Sequence, residues 1–190
     1  MNRYISPAIA LGLALGAAST EATAEGSYLA LKSYQSSIAK PKQGGQRTVS
    51  VKLETGDGVP MSGKAGAFGY AWLSDGGNNA LVLVTHLPID DSSHEADGSG
   101  FHAHMLDLKA PTPACPGANF EVDVESSKRN TAFDADYRWN IRGANIEVTD
   151  VPIADLGDGG IEGVAAFNLK PVLGKDGKPT NLCVAVADQI

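Results

Sequence analysis

The chain of 190 residues has only two cysteines, four histidines and 6% aromatic residues, and it carries no run of Lys and Arg. Each scarcity excludes something. With 15 basic against 22 acidic residues, the net charge is −7, which argues against binding to nucleic acid or anionic lipid. No Gly-x-Ser-x-Gly elbow is present, so the usual nucleophilic serine arrangement is missing. Gly63, Gly66 and Gly69 lack the lysine and the strand–helix context of a phosphate-cradling loop. No apolar run is long enough to span a bilayer.

The longest apolar stretch, Ala8 to Ala18, follows Arg3 and precedes Ala22-Thr23-Ala24, the pattern of a secretory signal peptide. Residues 1–24 are therefore expected to be a signal, and residues 25–190 a single domain of a secreted or periplasmic protein. Without Arg3 and Glu21 the balance is 14 basic to 21 acidic residues, still −7. In an oxidising compartment Cys115 and Cys183 are expected to form a disulfide rather than serve as free thiols or soft metal ligands. Closing the loop between them is worth roughly 4 kcal/mol on chain-entropy grounds.

Helical periodicity is scarce, and alternating apolar and polar residues recur between Gly, Pro, Asn and Asp clusters. The pattern predicts ten strands: 28–32, 48–53, 68–73, 80–86, 100–108, 120–125, 137–141, 145–149, 163–169 and 182–187. Such spacing predicts an all-β antiparallel Greek-key β-sandwich. The continuous run Leu81-Val82-Leu83-Val84 predicts a central strand covered on both faces. Phe120, Val122 and Val124 alternate with Glu121, Asp123 and Glu125, predicting a strand with a carboxylate row in water. Residues 34–46 and 88–99 read as loops, and the acidic stretch Asp150 to Glu162 as a solvated turn rather than a Ca²⁺ site.

All four histidines, His86, His94, His102 and His104, fall within 19 residues. On a strand, residues i and i+2 share a face, so His102 and His104 are expected side by side. If the strands ending at His86 and beginning near Gly100 form a long hairpin, His86 approaches the pair. His94 or one of Asp90, Asp91 and Glu95 then supplies a fourth ligand. Three or four such ligands suit copper or zinc. Met105 is expected on the opposite face.

The segment Gly100-Phe101-His102-Ala103-His104 is similar to the Gly-Phe-His-x-His strand of Cu/Zn superoxide dismutases, whose two histidines bind copper. Cys115, a short loop later, and Cys183, near the C-terminus, match that family's disulfide partners, and Asp155-Leu156-Gly157-Asp158 resembles its Gly-Asp-Leu-Gly-Asn segment. The resemblance implies a dismutase-like Greek-key sandwich, where residue patterning alone suits an immunoglobulin-like one equally. The chain departs from the family downstream. Pro116-Gly117-Ala118-Asn119-Phe120 stands where the bridging histidine is expected, no histidine follows His104, and Thr180-Asn181-Leu182 replaces the late arginine.

The expectation is thus an exported protein that binds copper or zinc through His86, His94, His102 and His104, handling metal rather than performing catalysis. The alternative is a non-catalytic envelope or cell-surface interaction module with incidental histidines. No catalytic residue is assigned, and dismutase activity is not expected.

Overall fold

A computed structural model describes residues 26–41, 45–62, 64–74, 79–85, 100–130, 132–133, 135–157 and 160–190. The expected signal peptide at residues 1–24 lies outside them, as do His86 and His94. The chain is all-β and antiparallel. Its strands are β1 (Leu31–Ala39), β2 (Thr48–Thr55), β3 (Phe68–Ser74), β4 (Asn79–Thr85), β5 (Phe101–Lys109), β6 (Phe120–Val122), β7 (Arg138–Arg142), β8 (Asn145–Pro152), β9 (Ile161–Leu173) and β10 (Pro179–Gln189). The only α-helix among the described residues is the four-residue α1, Val124–Ser127, capped by the Asp123 side chain accepting from the Ser126 backbone N–H.

In place of two open sheets, one open sheet accompanies a closed barrel. The open sheet runs β1-β2-β8-β7, and the barrel runs β10-β6-β5-β4-β3-β9, with β9 pairing β3 to complete the ring. Long-range pairing decides this. The long β9–β10 hairpin supplies two strands that reach around to β3 on one side and to the short β6 on the other. Its turn uses Gly177 at φ 77, a left-handed conformation that glycine adopts without a Cβ clash.

The two faces of the barrel strands carry different side chains. Tyr70 and Trp72 of β3, Leu81 and Leu83 of β4, and Phe101 and Met105 of β5 pack with Val49, Val51, Leu53, Ile146 and Val148 of the open sheet. The alternate residues Ala71, Ala80, Val82, Val84, Phe167, Leu169 and Val184 form a second cluster inside the barrel. Most of the large aromatic side chains thus sit between sheet and barrel, while the barrel interior is lined by Ala, Val and Leu together with the Phe167 ring. As predicted, β4 is central and buried on both faces. Gly69 lacks a side chain for a steric reason: a Cβ there would lie 2.7 Å from the Leu83 carbonyl oxygen and 2.9 Å from the Phe167 ring.

Three local expectations are corrected. Residues 34–39, read as loop, extend β1, since Ser33 to Ala39 pair with β2. The predicted strand from Tyr28 begins instead as a 3₁₀ turn, Ser27–Leu29. The strand predicted over 120–125 stops at Val122, and its carboxylate row is only partly in water: Glu125 is exposed, but Glu121 is buried and Asp123 caps α1.

Candidate functional site: a histidine pair inside the barrel

β4 and β5 form the predicted hairpin pairing, with Val84 opposite His102 and Val82 opposite His104. The strand period sends both imidazoles to the same face, into the barrel, while Phe101, Ala103 and Met105 enter the core between barrel and sheet. The two rings stand side by side with centroids 4.7 Å apart. Both are buried, His102 at 3% and His104 at 8% exposure. Met105 faces away, as the strand period requires.

Beyond β6, the free edge of β5 is held by irregular chain rather than by a strand. The Tyr137 N–H donates to the Ala103 carbonyl, and the Met105 N–H to the Ala132 carbonyl. Further along, the Asp107 N–H donates to Ser127 Oγ, and the Asp123 N–H to the Asp107 carbonyl. This lacing brings the Phe133 carbonyl oxygen to 3.1 Å from His104 Nδ1. A carbonyl only accepts, so Nδ1 carries the proton and Nε2 becomes the lone-pair nitrogen of the neutral ring. Metal-ligating histidines are commonly oriented by such a bond. Sequence reasoning missed the anchor, because a backbone carbonyl has no residue-type signature.

The structure therefore brings together two of the four predicted ligands. His86 and His94, with Asp90, Asp91 and Glu95, lie outside the described residues. His102 is one register step from Thr85 and Phe101, the strand ends that residues 86–100 connect. Among the described residues, no three His, Cys, Asp or Glu side chains group as a metal site. The cysteines are committed elsewhere, in the expected Cys115–Cys183 disulfide, with Cα atoms 5.4 Å apart. Asp155, matched above to the dismutase segment, accepts a hydrogen bond from the Tyr137 hydroxyl at 2.8 Å. Burial, then this carboxylate, pushes the Tyr137 pKa up.

On the outer wall, Glu121 and Cys183 are register neighbours, and the disulfide fixes the 110–119 loop over them. The Glu121 carboxylate accepts from the Thr112 N–H at 2.9 Å, the Thr112 hydroxyl at 2.7 Å and the Asn181 amide at 2.7 Å, with Lys109 Nζ at 3.4 Å. These donors, the Thr112 backbone foremost, hold its pKa down at about 2 despite burial. Every strong partner belongs to the loop or to a flanking strand. The group is a structural anchor rather than an acid–base catalyst.

Compared with known proteins, the chain matches no family model, no curated protein and no solved structure. No described helix is long and apolar enough to cross a membrane.

Proposed function

We propose that this is an exported protein that binds a transition metal, copper or zinc, through His102 and His104 completed by His86 and His94. It handles the metal rather than turning over a substrate. One observation carries the reading: two imidazoles 4.7 Å apart on one strand face, one of them held by Phe133 so that Nε2 is its ligand nitrogen. Two nitrogens make half a tetrahedral or tetragonal site. The signal-like N-terminus and the disulfide support export to a secreted or periplasmic location. In the same reading, the sheet-and-barrel packing is a Greek-key β-sandwich akin to the Cu/Zn dismutases. Dismutase activity is not proposed, because no histidine follows His104.

Burial favours a second reading. Rings only 3% and 8% exposed, seated beside Val84 and Val82, also suit a non-catalytic envelope or surface interaction module whose histidines merely fill the interior. Metal analysis of the mature, disulfide-intact protein decides between them. The metal reading expects stoichiometric copper or zinc that falls at least tenfold in a folded His102→Ala/His104→Ala variant. Equal metal content in both proteins overturns it.

A further inference from the structure

The side chains inside the barrel leave a cavity of about 170 Å³. Of its 18 lining residues, only His104 and Gln189 are polar, and none is Asp, Glu, Lys or Arg. The cavity is not sealed. Leu106, Leu108, Phe120, Val124, Leu182 and Val186 line it and yet are half-buried or exposed, Phe120 at 39%. These residues cluster where the three-residue β6 is the only strand bridging β5 and β10. An apolar chamber with an apolar entrance is the arrangement of a ligand site. Protein interiors are otherwise close-packed, and an apolar void of about 150 Å³ is known to stay dry and to accept benzene.

We propose that the barrel interior binds a small uncharged apolar molecule, the size of one aromatic ring or a hydrocarbon of about six carbons. A charged ligand would have to shed its hydration against walls that offer no counter-ion. The proposal goes beyond the metal reading and does not depend on it: His104 is the one residue the two share, and apart from it and Gln189 the walls are apolar side chains, most of them from six strands.

The test uses benzene and benzoate as probes, with methyl NMR of the disulfide-intact protein. Benzene is expected to produce saturable shifts at Val82, Val122, Leu169 and Val184, and benzoate at equal concentration none. Ala165→Leu, which fills the chamber, should weaken benzene binding at least tenfold. Should Ala165→Leu not fold, Ala71→Val fills part of the same space and is expected to weaken binding in the same direction. The absence of saturable shifts, shifts confined to the exposed Ile38 and Leu173, or affinity undiminished in a folded filled variant would overturn the proposal. Benzoate binding as tightly as benzene would overturn the uncharged class. Metal content reads the histidine pair and methyl shifts read the aliphatic wall, so the two readings fail separately.

Discussion

At the scale of single residues, Glu121 governs more than its position suggests. Its carboxylate binds together the 110–119 loop, β5 and β10 through Thr112, Lys109 and Asn181. Replacing it with Ala leaves those donors facing a void, and we expect a loss of about 2–4 kcal/mol in urea unfolding. The pH dependence follows from the depressed pKa. A carboxyl whose folded value lies below its unfolded one stabilises fully above the ordinary carboxylate range, and that stability is lost as acid protonates the folded form. Thermal midpoints should therefore fall between about pH 5 and about pH 2, and the fall should be shallower in Glu121→Gln. Alternation alone placed this residue in water. The error is physical: periodicity gives the side of a strand, but not whether a distant loop, tied down by Cys115, will cover that side.

Among the elements, β3 shows how one strand serves two interiors. Tyr70 and Trp72 go to the sheet–barrel core, while Gly69 and Ala71 face the barrel, and Phe167 of β9 occupies the space that Gly69 leaves open. Gly69→Ala must displace backbone at Leu83 or the Phe167 ring, so we expect about 1–3 kcal/mol of destabilisation, read as a lower urea midpoint. Nine of the ten described strands were legible in the sequence, because short alternating runs bounded by Gly, Asn and Asp leave little else to form, whereas most of β1 lies in a Ser-, Lys- and Gln-rich stretch that reads as loop. The β4–β5 pairing and the shared face of His102 and His104 were legible for the same reason. The closed ring was not, because it depends on β9 meeting β3 and β6 meeting β10, contacts far apart in the chain. Nor was the Phe133 carbonyl that orients His104, since it is main chain.

For the molecule as a whole, two devices secure the barrel wall and a third joins it to the open sheet. The Cys115–Cys183 bond closes a long loop, the Glu121 anchor seats that loop, and the aromatic cluster of Tyr28, Phe68, Tyr70, Phe101 and Trp139 fills the seam between sheet and barrel. The barrel interior on the other side is filled by alanines, valines, leucines, the Phe167 ring and the imidazole pair, and it keeps an apolar chamber.

The chamber inside the barrel has a volumetric consequence. Unfolding admits water to space that the native barrel leaves unfilled, so the denatured protein occupies less volume than the native one. Hydrostatic compression, which acts on volume rather than on heat or hydration strength, should therefore unfold this protein by way of its barrel. The volume change, followed by the fluorescence of Trp72 and Trp139, should be smaller in Ala165→Leu than in the parent chain. An equal change in the two would locate the compressible space elsewhere.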